Sequence, residues 1–382
     1  MHDYIIPIGP QIQSIKEPTC LRIKLKGNYI QDARIRLGYA HRAIEKILEG
    51  KTVEQGLVIA ERICGICESA HSQAYIRAIE NILKYNPPKK VRYLRTLIAE
   101  LERIHSHLLW AGFMAHEIGY DILFMFFWRE RERILEIFEK ITGGRVHHAA
   151  NKIMTVRYDL EQGDIKFILD RIKIIEKRIS DYLPAYRKNN IIRARLVNVG
   201  TIARQDAKRF CLVGPVARAS GISDDIRKAD PYAAYKDVDF NVIIEDRGDA
   251  LSRTSVRLRE VLESANIIRQ LLASMPEEKI PAYKKFSIKS AEACGRVEAP
   301  RGENFHFIKI RNNVIGRARI RTPTYNNLTV LEQLLVGMEI GDTPVVLDSL
   351  DPCFGCMERV MMVKNNRTQI LSEKQFRRKC RV

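Results

Sequence analysis

No run of eighteen or more apolar residues occurs in this chain of 382 residues, which excludes an obvious membrane-spanning helix. The most apolar stretch, Ile122-Leu123-Phe124-Met125-Phe126-Phe127-Trp128, is far too short to span and reads as a buried helix. The N-terminus lacks the basic-then-apolar pattern of an export leader. Internal repeats and low-complexity linkers are missing as well, so one α-rich domain is the simplest organisation. Acidic residues are in deficit, 46 against 64 basic ones, giving a net charge of +18. A nucleic-acid partner would call for a recognisable module, or for basic and aromatic residues interleaved on one face. Neither is present, and no nucleic acid is expected. The charge is spread through helical stretches such as Arg129-Glu130-Arg131-Glu132-Arg133, which suit solvated faces, acidic partner subunits or anionic lipid.

Cysteine is scarce too, eight in all, but four of the eight stand in two matching pairs. These are Cys64-Gly-Ile-Cys67, with His71 four residues on, and Cys353-Phe-Gly-Cys356. Without an export pattern, such pairs point to a reducing compartment and to metal rather than to a disulfide framework. Two pairs can place four soft thiolates on a thiophilic transition metal. On spacing alone a structural zinc site or a four-cysteine iron–sulfur cluster leads, and a bimetallic redox centre is the third reading. Against zinc stands the distance: zinc ribbons draw their pairs from nearby sequence, and these lie near opposite ends of the chain. Cys20, Cys211 and Cys294 read as small core residues.

Periodicity separates the chain into helical and extended parts. Alternation at Cys20-Leu21-Arg22-Ile23-Lys24-Leu25-Lys26 before Gly27-Asn28 predicts a strand and turn. Apolar residues at three- and four-residue steps predict helices over 91–111, 122–141, 165–183 and 256–275, the second ending at Gly143 and the third before Pro184. Short strands are expected at 305–310 and 314–321. The fold class is therefore mainly α with small β elements, α+β, built on a long helical bundle. Residues 360–382 differ from what precedes them, with seven basic residues and one acidic one, and read as a basic surface extension.

The residues around the cysteine pairs are more specific than the spacing. Arg62-Ile63-Cys64-Gly65-Ile66-Cys67 with His71, and Asp351-Pro352-Cys353-Phe354-Gly355-Cys356, resemble the large subunit of nickel–iron hydrogenases. Gly9-Pro10-Gln11 with Glu17-Pro18, Glu298-Ala299-Pro300-Arg301-Gly302-Glu303 with His306, and Arg321-Thr322-Pro323-Thr324 match further family segments in chain order. Glu100 to Leu109, Gly214 to Gly221 and Asp246-Arg247-Gly248-Asp249 are similar to the energy-converting, membrane-associated Ech-type branch and to the quinone-site subunit of respiratory complex I. Complex I subunits of this type lack the metal-binding thiols, so the resemblance implies a hydrogenase. Its runner-up is a soluble cofactor-reducing hydrogenase with a deazaflavin partner. From a different class comes a non-enzymatic, zinc-stapled subunit of a respiratory complex.

The resemblance implies a role for each site residue. Cys64, Cys67, Cys353 and Cys356 would all bind nickel, with Cys67 and Cys356 also bridging to an iron that carries cyanide and carbon monoxide. Arg301 would lie over the open face of the metals, where a positioning and electrostatic role suits a guanidinium better than proton abstraction. Asp351 would hold Arg301. Glu17 would relay the proton from a terminal thiol. Thr324 would donate to the cyanides, and His71 to a bridging sulfur. Residues 1–359 would form the catalytic domain, with 360–382 removed on maturation in many relatives. A small subunit with a [4Fe-4S] cluster would take the electrons, with further iron–sulfur and integral membrane subunits behind it. Dihydrogen and protons would be the substrates. The location would be the cytoplasmic face of the cell membrane, peripheral through partners. His105, His107, His147 and His148 are read as packing or interface residues. Three departures stand out: Ile12-Gln13 replaces a frequent His-Pro, Met154-Thr155-Val156 a frequent Gly-Gly-Val, and Arg359 a His that helps bind magnesium in many relatives. The last leaves magnesium open.

Overall fold

The Lys89–Glu117 helix is the axis of the molecule. Its apolar positions Val91, Leu94, Leu97, Leu101, Ile104, Leu108 and Ala111 recur at three- and four-residue steps and are buried. Burial extends to Glu100, Arg103 and His107 on its other faces, so this helix is enclosed all round. The Asp121–Thr142 and Ala250–Ala273 helices pack against it, and the Gln162–Lys188 helix packs against those two. The computed structural model describes residues 3–11 and 17–357, with the backbone of two short strands at 362–364 and 367–369 that pair antiparallel. Ile12-Gln13, Arg359 and the rest of the basic extension lie outside the described residues.

Local chemistry sets the helix ends. Asp249 caps the Ala250–Ala273 helix by accepting from the Ser252 N–H at 2.8 Å. Gly143 closes the Asp121–Thr142 helix in the left-handed conformation, φ 80°, as the Thr-Gly-Gly sequence predicts. The expected stop before Pro184 does not occur: that helix continues to Lys188 with Pro184 inside it. Proline removes one ladder bond, but tertiary contacts beyond it hold the last turn. Tyr186 is buried, and Arg187 Nη2 donates to Ser255 Oγ at 2.6 Å.

Two three-stranded antiparallel sheets flank the helices. One joins Asp3–Ile8, Cys20–Lys26 and Tyr29–Arg36. The other joins Ser290–Ala299, Gly302–Arg311 and Val314–Arg321. Ala299 pairs with Gly302, so Pro300-Arg301 is the two-residue tip of a hairpin. Gly302 has φ 126° and a Cβ there would meet the Gly214 nitrogen at 2.8 Å, so only glycine fits. The Ser290–Ala299 strand is not apparent in the sequence, because its residues are small rather than β-branched. The reason is a close approach: a Cβ on Gly295 would stand 2.1 Å from the Ala74 carbonyl oxygen in the Glu68–Leu83 helix.

The larger core fills the helical bundle and the underside of the second sheet. A second core lies under the N-terminal sheet, where Leu21, Ile23 and Leu25 meet Leu331, Val346, Leu350 and Phe354. This packing carries the C-terminal cysteine pair to the N-terminal half of the chain. Some expectations need correcting. Cys20 is buried, but Cys211 and Cys294 are exposed; Cys294 falls on the outward face of its strand. The Asp121–Thr142 helix buries Leu123 and Phe127 but leaves Ile122 and Met125 exposed, so its apolar run is half buried. Met154 takes a left-handed φ of 66°, where the family's frequent glycine would be free of strain.

Gly295→Ala should lower the unfolding free energy by about 1–3 kcal/mol through overpacking. Gly163→Ala, a helix position with nothing within 4 Å of the new Cβ, should raise it by up to about 1 kcal/mol. Chemical denaturation of both variants checks the contrast.

Candidate metal centre

The first cysteine pair sits between two helices. Thr52 and Gln55 form a reciprocal capping box that starts the Val53–Glu61 helix. The chain then turns through Arg62 and Ile63, and Cys67 occupies the cap position of the Glu68–Leu83 helix. The second pair follows Asp351, a non-glycine residue at φ 53°, and closes in a 3₁₀ turn at Phe354–Cys356. Two hydrogen bonds fix that turn. The Cys353 N–H donates to Thr324 Oγ1 at 3.1 Å, and the Gly355 N–H donates to a Glu17 carboxylate oxygen at 2.7 Å.

All four cysteines are buried. Cys64 Sγ lies 3.5 Å from Cys353 Sγ, and Cys67 Sγ lies 3.7 Å from Cys356 Sγ. Cys353 and Cys356 are closer still, 2.8 Å between sulfurs. Metal–thiolate bonds of about 2.3 Å in a tetrahedron put sulfurs roughly 3.8 Å apart, so the two cross-pair distances suit ligands of one ion. The thiols alone form a strained set. Hydrogen bonding from Cys353, Cys356 and Cys67 holds Cys64 well below the usual thiol range. Interaction with Cys353 and burial push Cys67 well above it, and Cys356 is pushed up likewise. A cation among the sulfurs would let all four ionise, so the donor set fits a soft metal.

A small cavity adjoins the sulfurs. Cys67, Cys353, Arg301, Pro323 and Thr324 help line it. The buried Oδ1 of Asn304 and Oγ1 of Thr322 face no hydrogen-bond partner among the described residues, which leaves polar capacity beside the thiols for non-protein ligands.

Arg301 reaches this cavity from its hairpin tip. Its Nη2 donates to Asp351 Oδ1 at 2.8 Å, its Nε to the Asp351 carbonyl at 3.0 Å, and its Nη1 to Ser106 Oγ at 3.1 Å. Burial works against its charge, but Asp351 and the neighbouring sulfurs hold it well above the ordinary guanidinium range. It stays a cation. Glu17 lies with Oε1 3.9 Å from Cys353 Sγ. Burial raises its carboxyl above the usual value, and the Gly355 N–H opposes the shift. His71 Nδ1 lies 3.0 Å from His306 Nε2 and 3.3 Å from Asn304 Nδ2. The Asn304 amide and the His306 ring thus both face this one nitrogen of His71. Burial lowers its pKa to about 4, so the imidazole is neutral. Thr324 accepts from Cys353, which leaves its own hydroxyl hydrogen available to the cavity.

The structure thus brings together the nine residues singled out from the sequence: Cys67, Cys353, Cys356, His71, Arg301 and Thr324 line the cavity, and Cys64, Glu17 and Asp351 lie against Cys353 and Arg301. His105 and His107 are buried in the axial helix instead, and His148 is buried near Glu68 with its Nδ1 at 3.5 Å. Ser106 and Asn304 are additions. Ser106 lies within the Glu100 to Leu109 stretch, but only the hairpin's placement shows that its hydroxyl meets Arg301.

Known proteins resemble the chain along nearly its whole length. The family described as "Respiratory-chain NADH dehydrogenase, 49 Kd subunit" matches residues 117–288 and 281–359. The family described as "Nickel-dependent hydrogenase" matches residues 42–114. The carbon monoxide-induced hydrogenase of Rhodospirillum rubrum is 35% identical, over 94% of this chain and 100% of its own. The membrane-bound hydrogenase subunit alpha of Pyrococcus furiosus is 34% identical, over 97% and 90%. A component of the F(420)H(2) dehydrogenase of Methanosarcina mazei is 35% identical, over 94% and 98%. Among solved structures, a chain of the membrane-bound sulfane sulfur reductase, an archaeal respiratory membrane complex, superposes with a TM-score of 0.88 at 29% identity, covering 93% of this chain and 98% of its own.

Thr324→Val should strand the buried Cys353 N–H and destabilise the metal-free fold by about 1–3 kcal/mol. Thr324→Ser, which keeps the acceptor, should cost much less. Equilibrium unfolding of the pair checks this.

Proposed function

Because the chain belongs to the family that unites the large subunits of energy-converting nickel–iron hydrogenases with the 49 Kd subunit of the respiratory-chain NADH dehydrogenase, we propose that it is the catalytic subunit of an energy-converting nickel–iron hydrogenase. One observation carries this reading within a family of mixed activities: four buried cysteine sulfurs converge beside a cavity. The reaction would be the reversible heterolytic cleavage of dihydrogen into protons and electrons.

A nickel–iron pair held by Cys64, Cys67, Cys353 and Cys356, its iron bearing cyanide and carbon monoxide, would supply the Lewis acidity and the redox capacity. The protein's own residues would do the rest. Arg301, fixed by Asp351 and Ser106, would present a permanent positive charge to the cavity and orient a small substrate. Glu17 would exchange a proton with the Cys353 thiol and pass it outward, its raised pKa matching it to that task. His71 would donate from Nε2 toward a sulfur, and Thr324 would donate into the cavity. Ala299, Pro300 and Pro323 in the cavity wall would help keep water out.

Only this one sulfur set occurs among the described residues, so electrons would leave through a small partner subunit carrying a [4Fe-4S] cluster. Related subunits belong to membrane complexes, and no helix among the described residues is long and apolar enough to cross a membrane. We therefore place the chain at the membrane through integral partners, on its cytoplasmic face. The exposed Ile122, Met125 and Phe126 form a candidate contact for such a subunit. Residues 1–359 would be the catalytic unit and 360–382 an extension. A second reading, a complex I-like electron-transfer subunit without hydrogen chemistry, is favoured by the family match over residues 117–359.

Metal analysis of the anaerobically purified complex separates the two: nickel and iron together support the hydrogenase, while zinc alone or no metal overturns it. Cys356→Ser should lose both metals and all turnover. Arg301→Lys should keep the metals and lower hydrogen turnover by about two orders of magnitude, because a point charge cannot reproduce the three-way fork. Glu17→Gln should keep the metals while turnover and hydrogen–deuterium exchange with solvent fall together. Normal solvent exchange in that variant would remove Glu17 from the proton route.

A further inference from the structure

Nothing in the local sequence marks Arg42. It stands just before the short Ile44–Leu48 helix, on the exposed side of the molecule. Its guanidinium nevertheless joins the two cysteine loops. Nη1 donates to the Arg62 carbonyl at 3.2 Å and Nη2 to the Ile63 carbonyl at 2.5 Å. The same Nη2 donates to the Gly355 carbonyl at 2.7 Å. Arg62 and Ile63 lead directly into Cys64, and Gly355 lies between Cys353 and Cys356. One planar cation thus bridges the main chains of both thiol pairs.

The base of this bridge is firm. Ile44 and Leu48 are buried. Glu45 accepts from the Ile320 N–H at 2.9 Å and pairs with Arg319, which ties the short helix to the second sheet. The Gly355 peptide is in turn gripped from both sides, its carbonyl by Arg42 and its N–H by Glu17. A Cβ on Gly355 would stand 2.4 Å from Glu17 Oε1, so the loop is seated closely against that carboxylate. Bonds from a charged donor are the stronger kind, and a guanidinium holds its donors in a rigid planar fork, whereas an ammonium is a compact point charge on a flexible stem.

We propose that Arg42 is a positioning residue, a clasp that holds the Cys353–Cys356 loop against the Cys64–Cys67 loop and so sets how readily the thiol site opens. The clasp lies on the exposed side while the sulfurs are buried, so it can release without unfolding either core. Opening at this seam would expose the thiols for metal entry and loss, a local event of lower free energy than global unfolding. The clasp itself is read from the hydrogen bonds; its bearing on metal rests on the metal-centre reading above.

The test uses the full-length chain. In anaerobic, reduced, metal-free protein, the alkylation rates of Cys64, Cys67, Cys353 and Cys356 by iodoacetamide are measured by peptide mass spectrometry. Wild type is compared with Arg42→Met and Arg42→Lys, with buried Cys20 as internal reference. Arg42→Met should raise the rates at the four thiols about tenfold or more relative to Cys20, as loss of charged hydrogen bonds predicts, and Arg42→Lys should fall between. Unchanged protection in Arg42→Met overturns the clasp. Equal acceleration at Cys20 also overturns it, because the effect is then global. In the assembled complex, loss of nickel to a chelator should quicken by a similar factor. Faster alkylation in a protein whose wild type holds no nickel or iron supports the clasp and overturns the metal reading instead.

Discussion

Four sulfur atoms meet in a buried space, and two of them come from each end of the chain. That meeting constrains everything around it. Thiols at 2.8 to 3.7 Å cannot all be ionised without a cation, nor all be comfortable without one. The protein must therefore hold them together against their own electrostatics. It does so with two cores: the larger one takes in all four cysteine side chains, and the small core under the N-terminal sheet anchors Leu350, Phe354 and Met357 around and between Cys353 and Cys356. The site lies at the seam between them. Closing so long a loop costs little more than closing a short one, because the entropy grows only logarithmically, and the packed interface offsets it.

Behind the Arg301 hairpin lies a second electrostatic problem. Arg103, Arg218 and Arg227 are all buried, as are Glu100, Asp225, Glu260 and Glu298. Three cations face four carboxyl groups, an imbalance that a low-dielectric interior penalises heavily. The carboxyl groups divide the load. Burial opposes ionisation of all four, but arginines hold Glu100 and Glu260 below the carboxylate range and Asp225 near 2. Glu298, pressed by burial and by Asp225, rises to about 7. Arg218 and the Ile226 N–H oppose that rise by donating to its two carboxylate oxygens at 2.8 and 3.2 Å. The network serves the site mechanically. Arg103 donates to the carbonyls of Glu298 and Ala299 at 2.8 and 3.3 Å, and so grips the strand that ends at Arg301. Its registration matters because Arg301 has to meet Asp351, Ser106 and the cavity together.

The sequence disclosed the parts of this arrangement unequally. Helices with sustained apolar periodicity were legible in kind and place, with ends up to six residues off, since the same steps that appear in the sequence define the buried face. The Cys-x-x-Cys pairs and the Pro-Arg-Gly tip were legible because their chemistry or conformation admits few residues. The Ser290–Ala299 strand was not, because closeness to the Glu68–Leu83 helix selects small residues and erases the alternation that marks a strand. Pro184 misled for a related reason: contacts made by Tyr186 and Arg187 lie outside any local window. Arg42 and Ser106 were silent for the most general reason. Their partners lie 313 and 195 positions away, and a single arginine or serine carries no sign of a distant carbonyl or guanidinium.

Relatives of this chain are named for work on hydrogen, on F(420)H(2) and in NADH–quinone oxidoreduction, and its fold recurs in a sulfane sulfur reductase. A fold alone does not fix a substrate, so the reading for this chain rests on its own site. A cavity lies at the seam of two cores, a hairpin brings a fixed charge to it, and a carboxyl group with a raised pKa stands at its edge. In the hydrogenase reading proposed above, those features would move or stabilise protons. The seam is filled in a particular way in this chain. Here that filling is sulfur, held at spacings that a single ion could satisfy, and the hydrogen bonds of Glu17, Thr324 and Arg42 go to the peptides of the sulfur-bearing loops or of the residues leading into them. On the roles proposed above, Glu17 would then both relay a proton and help set the shape of the thiol site, tying the proton chemistry to the metal geometry.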